Sequence, residues 1–255
     1  MDPLFLQFLT GSIIGLGAGY IGSFMVLRRM ALVGDALSHV ALPGIALALL
    51  WHINPFIGAF TLLLLAILGI WRLELKTNLP SETLVGIFFT LSLAIGLLIT
   101  PEPELLEALF GDLSKVTLVD FGYALVLVPF LLAEMRHISR DIMLGIISPE
   151  MAQTMGVKID RTQLKFLLMV AVIVALGLKV VGTLLMGSLV IIPAAAARNI
   201  STNLSRYTTL SAIFGALSAG IGVLAALTFG IAPGPAVVLT SGLIFVSTLV
   251  FKPQA

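Results

Sequence analysis

The stretch GDALSHVALPG, residues 34–44, places an acid and an imidazole four positions apart in a strongly apolar part of the chain. Asp35, Ser38 and His39 stand at i, i+3 and i+4, so they share one face if the segment is helical. A carboxylate oxygen and an imidazole nitrogen suit borderline divalent cations such as Zn²⁺ and Mn²⁺. The spacing therefore indicates a metal site with ligands from Asp35 and His39 and a weaker one from Ser38.

The same residues also allow structural interpretations. Asp35 follows Gly34 and could cap a helix that starts there by accepting backbone N–H bonds. His39 could be a core histidine whose ring nitrogens are satisfied, and Pro43 would then only kink the helix. Because two ligands do not complete a metal site, the metal hypothesis needs further ligands from other helices, a second subunit or water.

The composition places these residues inside a membrane. The chain of 255 residues is 59% hydrophobic and 11% charged, whereas a soluble domain has roughly 25% charged residues. Five long runs without Asp, Glu, Lys or Arg reach or nearly reach the ~20 apolar residues that span a bilayer. We therefore predict an all-α polytopic membrane protein with one transmembrane domain over 1–255. The runs are 3–27, 36–71, 83–101, 180–197 and 207–251.

About nine transmembrane helices are predicted. Two runs are too long for one span, and they break at WHINPF (51–56) and FGIAPGP (229–235), where Pro and Gly interrupt a helix. Lys179 divides 163–198, which forms either two spans or one broken helix that lines a cavity. The predicted spans are roughly 5–27, 33–52, 55–72, 82–100, 117–133, 163–179, 181–198, 207–228 and 235–251.

Lys and Arg predict the orientation in the cell membrane. Segment 134–165 holds five basic residues, so we expect it in the cytoplasm, with the N-terminus outside and the C-terminus inside. Segment 101–120 is acidic apart from Lys115 and is expected outside. Its acids either help to dock a delivery protein and attract cations or form an ordinary solvated loop. The acids in question are Glu102, Glu104 and Glu107.

A short helix is predicted over about 149–156, within the basic segment. A serine cap, a proline at the first position and an acid in the first turn are followed by apolar residues and a glycine stop. The helix is either an ordinary interfacial one or a coupling helix that docks a soluble partner. Its residues are Ser148, Pro149, Glu150, Met151, Ala152, Met155 and Gly156.

Several functional classes are excluded by missing motifs. The chain has no cysteine, so disulfides and thiolate metal sites are excluded. It has no H-E-x-x-H motif, which argues against an intramembrane metalloprotease, and no P-loop for ATP. We therefore expect no enzyme. The net charge of +1 gives no indication of nucleic-acid binding.

The stretch around Asp35 and His39 also resembles a known protein family. Residues 26–48, VLRRMALVGDALSHVALPGIALA, resemble the signature region of permease subunits of ABC importers for zinc, manganese and iron. The resemblance covers nearly the whole chain, in the order expected of the family. Its further stretches are LFGDL (109–113), EMAQTMGV (150–157), VVGTLLMGSLVIIPAAAA (180–197) and PGPAVVLTSG (233–242).

The resemblance implies a homodimer of permeases, two cytosolic ATPase subunits and an external metal-binding protein. It also implies that Asp35 and His39 contact the transported Zn, Mn or Fe ion, with no permanently bound cofactor. Lys179 departs from the family's usually uncharged pattern, so we expect it away from the cation path. A secondary metal carrier or channel without an ATPase is the alternative function.

Overall fold

The computed structural model describes residues 3–77, 79–100, 106 and 108–250, which contain α-helices, one short 3-10 helix at Leu113–Lys115 and no strand. The helices are α1 (Pro3–Leu27), α2 (Ala31–Val40), α3 (Leu42–Leu50), α4 (Pro55–Lys76), α5 (Ser81–Ile99), α6 (Leu118–Ile147), α7 (Pro149–Thr154), α8 (Ile159–Val181), α9 (Met186–Ile200), α10 (Leu204–Phe229) and α11 (Pro233–Val250).

The polytopic all-α membrane fold is confirmed. In the described residues, eight helical segments are long and apolar enough to cross a membrane, with α2 and α3 together counting as one. The ninth predicted span, α9, is a shorter apolar helix. Its 15 residues rise about 22 Å, less than the ~30 Å of a hydrocarbon core. The stretch 163–198 is therefore one full span, a turn at 182–185, and a short helix.

Both predicted hairpin breaks are confirmed. Before α4, the side chain of Asn54 accepts a hydrogen bond from the backbone N–H of Phe56 at 3.0 Å. After α10, Gly230 has a φ of 64° and ends the helix, and Pro233 begins α11. In each case the break depends on a residue that caps or cannot continue a helix.

Helix α6 is much longer than the predicted span 117–133, so that boundary was wrong. The helix begins with a capping box between Thr117 and Asp120 and runs for 30 residues, about 45 Å. The prediction ended where charges begin, at Glu134. Charge ends the apolar run but not the helix, and no proline occurs between Glu134 and Pro149. The last turns of α6 therefore project beyond a ~30 Å core.

Most of the basic residues lie where successive helices begin or end on one side of the bundle, which is called here the basic end. Arg28 and Arg29 connect α1 to α2, Arg72 and Lys76 lie near the end of α4, and Arg161 lies in the first turn of α8. Helix α6 also ends there, and α7 follows it directly. This end of the bundle matches the side that the charge pattern assigned to the cytoplasm.

Helix α1 packs closely on α10 through glycines. A Cβ on Gly15 would overlap the backbone of Gly215, and a Cβ on Gly19 would overlap that of Ser211. The buried hydroxyl of Ser211 donates a 2.5 Å hydrogen bond to the carbonyl of Gly19. Small residues let membrane helices approach closely and gain packing. Helix α9 packs on both, and α2 lies against α9 and α5.

Candidate metal site

Helix α2 carries Asp35, Ser38 and His39 and ends directly after them. The helix stops at Val40, and α3 starts at Leu42 with Pro43 in its first turn. Proline has no N–H, so Pro43 cannot donate to the carbonyl four residues earlier, which belongs to His39. The helix is interrupted at Ala41, and this break separates the three polar residues from the apolar helix α3.

Ser38 ties α2 to the turn before α9. Its side chain is fully buried, and its hydroxyl oxygen lies 2.5 Å from the carbonyl oxygen of Thr183 and 2.6 Å from that of Asp35. Both partners are acceptors, so the hydroxyl donates its hydrogen to one of these carbonyls. Ser38 therefore fixes the position of α2, whereas the sequence assigned it a weak ligand role.

Asp35 lies against the first turn of α9. A Cβ on Gly187 would lie 2.5 Å from the Cβ of Asp35 and 2.7 Å from its Cα and Oδ1. Only a glycine allows this approach. The N-terminal turn of a helix carries a partial positive charge, which stabilises a nearby carboxylate. The side chain of Asp35 is half-buried, so one side of it stays accessible on the surface of the single chain.

His39 lies on the side of α2 that meets α5. Its ring packs edge-on against Phe89, with 5.3 Å between the ring centroids, and only 7% of the residue is exposed. Its Nδ1 atom is buried and has no hydrogen-bond partner among the described residues.

The two structural interpretations do not fit this geometry. Helix α2 begins at Ala31 after Met30, so Asp35 lies in its second turn and cannot cap it. The Asp35 carboxylate accepts no hydrogen bond from the described part of the chain. A core histidine with satisfied nitrogens would not leave Nδ1 of His39 without a partner. The Asp35 carboxylate and the Nδ1 atom of His39 thus have no hydrogen-bond partner among the described residues.

The described part of a single copy supplies too few ligands for a complete metal site. No group of three or more His, Asp or Glu side chains that could hold a metal occurs there. Asp35 and His39 alone would leave a metal ion with two protein ligands. Leu32, one turn before Asp35 on α2, is 77% exposed, so this part of α2 lies at the surface of the single chain.

The turn at 182–185 is held by a second segment. Gly182 has a φ of 83°, and the next two backbone N–H groups donate to the carbonyls of Ala108 and Leu109 at 2.8 and 3.0 Å. The segment of LFGDL thus lies beside the turn that receives Ser38. Sequence reasoning missed Thr183, Gly187 and Phe89. The only indication of this turn in the sequence was the presence of Gly182 and Gly187 in an otherwise apolar helical stretch.

The predicted short helix is present as α7. The hydroxyl of Ser148 accepts a 3.2 Å hydrogen bond from the N–H of Met151, and Gly156 has a φ of 83°. Met151 and Met155 are more than half exposed, but Ala152 is fully buried. The predicted apolar face is therefore divided, because Ala152 packs on its own chain and cannot contact a partner. Pro149 and Glu150 form the exposed first turn.

The acidic candidates of the outer segment, Glu102, Glu104 and Glu107, lie outside the described residues.

The sequence profile of the ABC 3 transport family matches residues 1–252. The chain belongs to this family. It is 31% identical to MntC, a manganese transport system membrane protein of Listeria monocytogenes, in a match that covers all of this chain and 93% of the relative. It is also 36% identical to ZnuB, a high-affinity zinc uptake system membrane protein of Haemophilus influenzae. That match covers 99% of this chain and 98% of the relative.

A solved structure shares the fold of this ABC 3 family chain. It is described as PsaBC from Streptococcus pneumoniae in complex with Fab, and it matches with a TM-score of 0.87 and 27% identity. The match covers 99% of this chain and 93% of the other. The family that the sequence motifs resembled is therefore confirmed, together with a multi-pass membrane fold.

Proposed function

We propose that the chain is the permease subunit of an ABC importer for divalent transition-metal ions. Relatives that match it over nearly their whole length are named as manganese and zinc transport proteins. The pair of Asp35 and His39 supplies ligands that such ions accept. The observation that carries the proposal is a half-exposed carboxylate and an imidazole with an unbonded nitrogen, both inside a membrane helix.

Two copies of the chain form the pathway in this proposal. A half-exposed carboxylate on a membrane helix is costly when it faces lipid. A second copy related by a two-fold axis would cover α2 and bring another Asp35 and His39 to the same axis. The ligand set would then hold two carboxylates and two imidazoles. The transported ion, Zn²⁺, Mn²⁺ or Fe²⁺, is the cargo of this site.

The basic end lies in the cytoplasm in this proposal, because Lys and Arg are retained on that side. The N-terminus is then outside and the C-terminus inside. Separate ATPase subunits dock on α7 through Met151 and Met155, and an external protein delivers the ion from the other side. The absence of a P-loop in the sequence supports a separate ATPase.

Uptake of Zn²⁺, Mn²⁺ and Fe²⁺ in competition tests the proposal. The assay uses cells that lack their own importers and express the chain with its ATPase and binding protein. We expect ATP-dependent uptake of at least one ion when the proton gradient is collapsed. Uptake that needs the proton gradient and no ATPase would instead make the chain a secondary carrier.

A further inference from the structure

Arg28 is a half-buried cation at the basic end, in the short connection between α1 and α2. Its guanidinium carbon lies 5.1 Å from the centre of the Phe166 ring on α8, a cation–π contact. Its Nη1 atom is buried and makes no hydrogen bond with any described residue. Burial lowers the pKa of Arg28, and the negative charge of Glu74 partly offsets this effect. The guanidinium nevertheless stays protonated.

Two cavities meet at Arg28, and acidic side chains line both. The larger one, of about 370 Å³, is also lined by Glu74 of α4. Gln163 lines it as well, and its buried Oε1 atom has no hydrogen-bond partner in the described chain. The smaller one, of about 50 Å³, contains Asp141 of α6. Asp141 is half-buried and makes no hydrogen bond or ion pair in the described part of the molecule. Arg28 therefore lies between a cavity in which Glu74 attracts it and a cavity in which Asp141 has no ion-pair partner among the described residues.

The larger cavity does not suit a metal ion. Its acids, Glu74, Glu82 and Asp160, do not form a cluster that could hold a metal within the described residues. The hydroxyl of Ser81 already donates to Glu74. A permanent cation, Arg28, lines the same cavity and repels a divalent ion. Arg28 thus supplies the positive charge in the cavity that these acids line.

The elements around Arg28 connect two regions of the transporter. Asp141 lies six residues before the end of α6, and α7 follows directly. On the other side, Arg29 has a φ of 60° and forms a tight turn into α2, which starts at Ala31. A displacement of Arg28 must therefore move the helix of Asp35. A displacement of α7 must move Asp141.

We propose that Arg28 is a positioning residue that couples α7 to the metal helix α2, because its guanidinium can move from the cavity that it shares with Glu74 into an ion pair with Asp141. While the guanidinium faces Glu74 without an ion pair, α2 stays as described here. When a bound ATPase shifts α7 and the end of α6, Asp141 attracts the guanidinium and draws the α1–α2 connection with it. The inference rests on the proposed transport function.

The test measures metal ions imported per ATP hydrolysed by the complete transporter in proteoliposomes, with Mn²⁺ or Zn²⁺, whichever the wild type imports. We expect Arg28→Gln and Asp141→Asn each to lower this ratio about fivefold or more, the lower range of allosteric coupling. The KM for the metal should stay unchanged, because Asp35 and His39 are intact. Arg28→Lys keeps the charge and should restore part of the ratio.

Asp141→Asn is the decisive variant, because Asp141 makes no hydrogen bond or ion pair among the described residues whose loss could unfold the protein. Arg29→Gln is the matched control, since it removes an equal charge from the exposed neighbour, and we expect it to keep the wild-type ratio. An unchanged ratio in Asp141→Asn, or an equal loss in Arg28→Gln and Arg29→Gln, would overturn the inference. A wild-type complex that imports no metal would overturn the proposed function instead.

Discussion

Lys179 and Asp120 form an ion pair that joins α8 to α6, with the ammonium 2.8 and 2.9 Å from the two carboxylate oxygens. Lys165 and Glu134 form a second pair between the same helices at 3.0 Å. The partners are 14 residues apart on each helix, so both ion pairs fit one antiparallel alignment of α6 and α8. At a rise of 1.5 Å per residue, the two pairs lie about 21 Å apart along the helices. The pair near the basic end is the more exposed one. Lys179 is thus neutralised by Asp120, and its position away from the cation path stays a prediction.

The two pairs should differ in strength. The side chains of Lys179 and Asp120 are 27% and 14% exposed, against 55% and 31% for Lys165 and Glu134. The backbone N–H and the hydroxyl of Thr117 also donate to Asp120. We expect a coupling free energy of about 1–2 kcal/mol for the first pair and below about 1 kcal/mol for the second.

Double-mutant cycles with Lys179→Met and Asp120→Asn, and with Lys165→Met and Glu134→Gln, measure these couplings from thermal unfolding in detergent. Equal coupling in both pairs would mean that burial does not strengthen the first one.

The apolar pattern predicted most of the helices because lipid imposes it directly. The breaks at Asn54 and at Gly230 were predictable for the same reason, since capping and left-handed residues act locally. The end of α6 could not be predicted in this way, because a helix continues past the membrane surface when its charged residues can be solvated. The packing of Asp35 on Gly187 depends on residues far apart in sequence, so no local pattern indicated it.

Asp35→Asn and His39→Ala should abolish metal uptake while membrane insertion and dimer assembly stay normal. Neither side chain accepts or donates a hydrogen bond that holds the fold in the described residues, so both act as ligands in the proposal. Uptake assays and size-exclusion chromatography of the purified variants measure the two properties. Normal transport by residual protein, together with poor membrane accumulation, would show that the residues serve packing.

Gly187→Ala should displace Asp35. The new methyl group would overlap the Cα and Cβ of Asp35, and backbone atoms cannot yield as a flexible side chain does. Overpacking of this kind costs about 1–3 kcal/mol, and uptake should fall because the carboxylate moves. Gly86→Ala is the matched control, since a Cβ there meets no atom within 4 Å, and a helical alanine is favoured over glycine by roughly 0.5–1 kcal/mol. Equal uptake by both variants would contradict the role of Gly187.

Ser38→Ala should lower stability and leave the KM for the metal unchanged. The variant removes the hydroxyl that donates to the carbonyl of Thr183 or of Asp35, and an unsatisfied buried group costs about 1–3 kcal/mol. Thermal unfolding and the concentration dependence of uptake separate stability from affinity. A raised KM with normal stability would instead make Ser38 a ligand, as the sequence first indicated.

Met155→Asp should dissociate or uncouple the ATPase while the permease still inserts and dimerises. Met155 is 53% exposed at the end of α7, so the change does not disturb its own chain. In the proposed complex the new carboxylate would be buried without a partner, at a cost of several kcal/mol. Gln153→Asp places the same charge on another exposed side of α7 and serves as the control. Co-purification of the ATPase and metal uptake are the measurements. If Met155→Asp binds the ATPase and imports metal as the wild type does, then α7 is an ordinary interfacial helix and the ATPase acts on another part of the basic end.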